Sequence, residues 1–174
     1  MTQDTAKPRK KNRSAASLAL GGLGMAVLVC CAIVCVIIVA PRLFGIVPYA
    51  VATGSMEPSL PVGSLVYAQE VDPAELEPGD VVTFSQGHQR SVPVTHRVVS
   101  NDPMERELVT QGDANASPDP EPVPYSRVRG EVVLSVPLLG FIATGLSMDG
   151  GKLALVAVIG ASLALCFVAD RLRE

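Results

Sequence analysis

Lysine is nearly absent where it would matter most. The chain has 174 residues, and its lysines are Lys7, Lys10, Lys11 and Lys152. A serine–lysine dyad is therefore excluded from residues 41–150, unless Lys152 folds back. Cysteine is missing from the same stretch: Cys30, Cys31, Cys35 and Cys166 all lie in apolar runs. A disulfide framework is excluded there, and the four thiols read as small apolar packers. Each follows Val, Cys or Leu rather than a small residue, so none suits a lipoprotein cleavage site. Histidine is limited to His88 and His96, which gives no metal-ligand spacing; neither a metal nor a cofactor is expected. Positive charge is scarce too. Residues 41–150 carry fourteen carboxylates against six arginines, a net of −8. Such a domain repels phosphates, which excludes nucleic acid as a partner.

What is present is apolar. Hydrophobic residues make up 48% of the chain and the mean hydropathy is +0.36, which points to membrane segments. Residues 15–40 carry no charge and exceed the roughly 20 residues that span hydrocarbon. Ahead of them, residues 1–14 hold five basic groups against Asp4, a net of +4. Positive flanks stay in the cytoplasm. Ala50-Val51-Ala52 has the small-residue pattern of a signal cleavage site, so removal of the first segment is the competing reading. Its apolar run is longer than the roughly 7–15 residues of a removable signal. A second apolar run, residues 153–169, sits at the short end for a span, with Arg171 and Arg173 behind it. A buried soluble helix is its alternative. The expected organisation is a cytoplasmic tail (1–14), a first transmembrane helix (15–40), an extracytoplasmic domain (41–150), a second transmembrane helix (151–169) and a cytoplasmic tail (170–174). That is a multi-pass protein of the plasma membrane, with lipid around it and both termini cytoplasmic.

Between the apolar runs the pattern is that of short strands. Residues 64–68, 80–84, 92–99, 107–111 and 127–136 are rich in β-branched residues and bounded by turns. Residues 71–79 read as loop, and residues 114–124, with four prolines, must be loop. Residues 137–147 are apolar but too short to span; they suit a final strand or a surface resting on the bilayer. The fold class is mainly β: a compact twisted domain, partly closed as a barrel, flanked by two transmembrane α-helices.

One stretch stands out for chemistry. In Ala52-Thr53-Gly54-Ser55-Met56-Glu57-Pro58, a serine sits in a sharply turned peptide. It is either an exposed nucleophile or an ordinary turn residue. As a nucleophile it needs a base and an orienting acid. With lysine excluded, the bases left are His88, in a polar tip that reads as solvated, and His96, inside a strand that would fix its direction. Asp113, in Gln111-Gly112-Asp113-Ala114-Asn115, and Asp119, in the proline-rich loop, are the candidate acids. Each could equally be a turn or solvated residue.

Taken in order, Gly54-Ser55-Met56-Glu57-Pro58, Gly79-Asp80-Val81-Val82-Thr83-Phe84, Thr95-His96-Arg97-Val98-Val99 and Gly112-Asp113-Ala114-Asn115 resemble the type I signal peptidase family. The likeness covers roughly residues 48–142. His96 in place of a lysine resembles the serine–histidine branch found in the endoplasmic reticulum, archaea and some Gram-positive bacteria. The resemblance implies Ser55 as nucleophile, His96 as general base, Asp119 as the acid completing the triad and Asp113 as its support. Ala114 departs from the asparagine frequent in that branch. Thr53, Ser55 and Met56 are implied for oxyanion and substrate binding, with the Ser55 amide and the Thr53 hydroxyl as donors. The implied activity is a membrane-bound serine endopeptidase that removes signal peptides from secreted preproteins after small residues, with preproteins and the secretion translocon as partners. The alternative is a non-catalytic relative that binds signal segments or scaffolds the cell envelope. A histidine base must be neutral to accept a proton, so preprotein cleavage should slow as the medium is acidified below neutrality. A rate flat from neutrality into mild acid would exclude a histidine base.

Overall fold

The computed structural model describes residues 15–86 and 93–172. The basic tail, His88 and the last two residues lie outside the described residues. The chain forms two compact units, a helical one from its two ends and a β one from residues 37–148.

The helical unit holds α1 (Ala15–Val39) and α3 (Asp149–Arg171). At 1.5 Å per residue, the 25 and 23 residues make rods of about 35–38 Å. Each is long and apolar enough to cross a membrane. The two run antiparallel along small residues: Gly21 of α1 meets Cys166 of α3, and Gly24 meets Ser162 and Cys166. A Cβ on Gly24 would lie 2.8 Å from both the Ser162 carbonyl and the Cys166 sulfur. Ser17, Ser162 and Ala169 are buried, and the Cys166 thiol points at the Gly21 carbonyl at 3.9 Å. Small side chains let helix backbones approach where lipid offers no hydrophobic drive.

The β unit is one antiparallel sheet of seven strands in the order β1-β2-β7-β3-β4-β5-β6. These are β1 (Ile46–Ala50), β2 (Leu65–Gln69), β3 (Val81–Ser85), β4 (Pro93–Asp102), β5 (Glu107–Gln111), β6 (Val123–Pro124) and β7 (Val128–Val136). Five match the strands expected from pattern to within three residues at either end. β1 went unread, because its Pro48 and the adjoining Ala50-Val51-Ala52 resemble a processing site more than a strand. β6 is two residues inside the expected loop. The last strand enters the middle: β7 pairs with β2 on one side and β3 on the other. Irregularities at Tyr67/Ala68, Thr83/Phe84 and Val98/Ser100 interrupt the ladders; such bulges bend strands and sharpen twist. The sheet curls, and its end strands β1 and β6 are not paired with each other.

Curling gives three apolar clusters. Val82, Phe84, Val98, Leu108 and Tyr125 form the largest. Met56, Leu60 and Val66 form a second, under the Ser55 loop. Leu65, Tyr67 and Leu139 form the third. Leu139 belongs to a helix, α2 (Leu139–Ser147), where a final strand was one expectation. The reason is periodicity: Leu139 and Ala143, four apart, both pack on the third cluster, while Ile142 faces outward. Val136 already ends the sheet opposite Leu65.

Gly140 binds α2 to the sheet. Its amide donates to the Gly63 carbonyl at 2.9 Å, and a Cβ there would come within 2.3 Å of the Ser64 carbonyl. Backbone cannot give way as a side-chain tip can, so Gly140→Ala should overpack the joint. A loss of about 1–3 kcal/mol is expected, read as a lower unfolding midpoint in detergent; an unchanged midpoint would show that α2 is not held this way.

Candidate active site

Ser55 sits in a single 3-10 turn, Gly54–Met56, entered from extended Thr53 and left through extended Glu57. Met56 and Leu60, both buried, peg this loop into the second cluster. A second tie comes from the end of β5. The Ala114 amide donates to the Ser55 carbonyl at 2.9 Å. Gly112 makes that approach possible, since a Cβ there would stand 2.5 Å from the same carbonyl.

His96 lies in β4 opposite Val82 of β3. It is only 8% exposed, with Phe84 edge-on to its ring at 6.0 Å. Its Nε2 is 3.1 Å from the Ser55 Oγ, and its Nδ1 is 2.6 Å from the Asp119 Oδ2. A carboxylate accepts, which favours the tautomer with the proton on Nδ1 and leaves Nε2 to accept from the serine hydroxyl. Thr110 fixes the acid twice. Its hydroxyl donates to the Asp119 Oδ2 at 2.7 Å, and its carbonyl accepts the Asp119 amide at 2.8 Å. Ser55, His96 and Asp119 thus form one hydrogen-bonded line from three distant stretches of chain.

Asp113 does not join that line. Its carboxylate takes both Nε and Nη2 of Arg97, at 2.8 and 2.7 Å, while Arg97 Nη1 donates to the Gly79 carbonyl at 2.7 Å. The paired hydrogen bonds from Arg97 hold the Asp113 carboxyl below the usual carboxylate range; burial opposes this, and the Ser59 hydroxyl adds to it. Arg97 follows His96 in β4, and Ser59 follows Ser55 by four residues. The clamp therefore ties the Asp113 turn to the Ser55 loop and to the strand that carries His96.

Thr53 lies beside the serine, its Oγ1 3.5 Å from the Ser55 Oγ. Next to them opens a cleft of about 290 Å³. One wall is Ala50, Val51, Ala52 and Thr53; the other is Pro93, Val94 and Thr95; Met56 lies at its base and Thr144 of α2 completes it. Both long walls are half-paired backbone. β1 is an end strand. Among the described residues, β4 pairs with β5 only from Arg97 onward, so its first residues hold β3 alone. No group of three or more His, Cys, Asp or Glu side chains is placed to hold a metal among the described residues.

Residues 24–103 match the family model for signal peptidase, peptidase S26. Over 94 residues the chain is 40% identical to Signal peptidase I W of Bacillus subtilis (strain 168), a match covering 52% of this chain and 48% of that relative. The likeness to that family covers somewhat less than half of the chain. The chain spans about half the length of the curated relative it matches. The family segment contains Ser55 and His96 and stops before Asp113, Asp119 and Thr144, so the placing of those three rests on geometry.

Pattern did not single out Arg97, Thr110, Gly112 or Thr144. For Thr110 a signal exists: β5 alternates, placing Thr110 with buried Leu108, and a buried hydroxyl needs a partner. Asp113→Asn should break the clamp at a cost of about 1.5–3 kcal/mol, typical of hydrogen bonds to charged groups. Because the folded carboxyl is held low, the clamp contributes fully above the ordinary carboxylate range and is lost as pH falls through the lowered value. The variant should lack that part of the acid-dependent loss of unfolding midpoint. Identical acid profiles for the two proteins would sink this assignment.

Proposed function

We propose that this chain is a membrane-anchored serine endopeptidase that cuts signal peptides from secreted preproteins after small residues. The observation that carries the reading is the unbroken line from the Ser55 hydroxyl through both ring nitrogens of His96 to Asp119. Ser55 attacks the scissile carbonyl as His96 Nε2 takes its proton. Asp119 keeps the ring oriented and stabilises the imidazolium. The developing oxyanion is met by the Ser55 amide and the Thr53 hydroxyl. His96 then gives its proton to the departing amine and activates water to hydrolyse the ester. Asp113 acts through Arg97, as a positioning residue rather than as the acid on the imidazole.

The substrate enters as an extended strand between the half-paired walls at residues 50–53 and 93–95, where backbone hydrogen bonds give affinity and pockets give choice. Val51, Met56 and Val94 make those pockets shallow, which favours small side chains. Anchoring keeps enzyme and preprotein in one plane, which raises effective concentration without new contacts. The antiparallel pairing of α1 with α3 puts the start of α1 and the end of α3 on one side, which supports two spans in the plasma membrane with both termini cytoplasmic. Residues 41–150 then work outside, in contact with lipid and supplied by the secretion translocon.

The test uses the purified full chain, reconstituted in vesicles, with a preprotein substrate. Ser55→Ala and His96→Ala should abolish cleavage while leaving membrane insertion intact. Asp119→Asn should lower kcat by about 10⁴-fold, as when a triad carboxylate is replaced, with a milder loss for Asp113→Asn. Cleavage by Ser55→Ala at the wild-type rate would refute the mechanism.

A further inference from the structure

Thr144 is the member of the cleft that comes from farthest along the chain. It lies on α2, more than forty residues beyond the segment that matches the family model. Yet it lines the same space as Ser55, Val51 and Val94. Its helix is not loosely placed. The Gly140 amide is tied to the Gly63 carbonyl at 2.9 Å. The Phe141 ring fills the space over Gly63, where a Cβ would come within 1.9 Å of it. Leu139 and Ala143 pack beside Leu65 and Tyr67 on the sheet. Thr144 follows Ala143 directly, so its position is set by that joint. Threonine is also β-branched, which restricts its χ1 in a helix. It therefore presents branched bulk to a cleft whose long walls carry short side chains, alanine, valine, proline and threonine, with Met56 between them.

Resting on the peptidase reading above, we propose that Thr144 is a specificity-determining residue. α2 caps the cleft, and Thr144 sets the largest side chain accepted upstream of the cut. Among the described residues, no hydrogen bond joins α2 to Ser55 or His96. The size of the cap can therefore be changed without altering the reacting groups. The expected signature is a change in the ranking of substrates and not a uniform loss of rate.

The experiment compares wild type, Thr144→Ala, Thr144→Phe and Ser55→Ala as full chains in vesicles. The substrates are preproteins carrying Ala, Val or Leu at the first or the third position before the cut. Thr144→Ala should raise kcat/KM for Val or Leu at one of those positions by about tenfold or more relative to the alanine substrate; one methylene in an apolar pocket discriminates by roughly 10–200-fold. Thr144→Phe should do the reverse, chiefly through KM. Thr144 is exposed, and unfolding midpoints show whether each variant is folded; Thr144→Ala decides the matter if Thr144→Phe is not. Should Thr144→Ala keep the wild-type ranking while Ser55→Ala is dead, the inference falls and the peptidase reading stands. Should wild type cut none of the substrates, the reading itself falls and takes the inference with it.

Discussion

The amide of Ala114 and the carbonyl of Ser55 meet at 2.9 Å, and the site depends on that contact. It joins the serine turn, near the start of the β unit, to the end of β5. The join is possible because Gly112 carries no side chain; a methyl there would overlap the same carbonyl. Once the serine turn is seated, the Ser55 Oγ stands within reach of His96. Met56 and Leu60 press the same turn down from below. A serine on a freely moving loop would meet the imidazole only part of the time. Here backbone, core and ion pair each restrict it.

Polar groups around the imidazole divide the work between two aspartates. Asp119 accepts from His96 and Thr110 together, and its amide is held by the Thr110 carbonyl. Asp113 is occupied by Arg97, with Ser59 adding to its hold. Two carboxylates close to one histidine could compete for it. A guanidinium that saturates one of them removes the competition, because its planar fork satisfies both oxygens at once. The consequence is one defined ring orientation, with Nε2 toward Ser55 and Nδ1 toward Asp119.

The same economy of small residues recurs away from the site. Gly140 lets α2 lie against Gly63 and Ser64, as Gly112 lets the β5 turn lie against Ser55. Gly24 lets α1 approach the backbone of α3. In each case a missing Cβ converts sequence-distant segments into close neighbours. The β unit then owes its cleft to incompleteness. Its walls are backbone with one side unpaired, at β1 and at the start of β4, which is what an extended peptide needs.

Local pattern was enough for much of this chain. Alternation marked five strands, uncharged length marked α1 and α3, and the lack of lysine between residues 41 and 150 left His96, held in a strand, as the base to consider. Ser55 and His96 carry their signal in short motifs, because a turn and a strand each impose local residue choices. Other features had no such local signal. Which aspartate faces the imidazole follows from register: Arg97 and His96 are adjacent in β4 and point to opposite faces, so each collects a different carboxylate. Strand β1 was hidden by its proline and alanines. Helix α2 was hidden because nine apolar residues suit either periodicity until Leu139 and Ala143 find a common surface. Thr110 and Thr144 gain meaning only from what stands opposite them. Periodicity and composition act within a few residues, whereas the pairing of Ser55 with Ala114, and of Thr144 with the cleft, is created by the curl of the sheet.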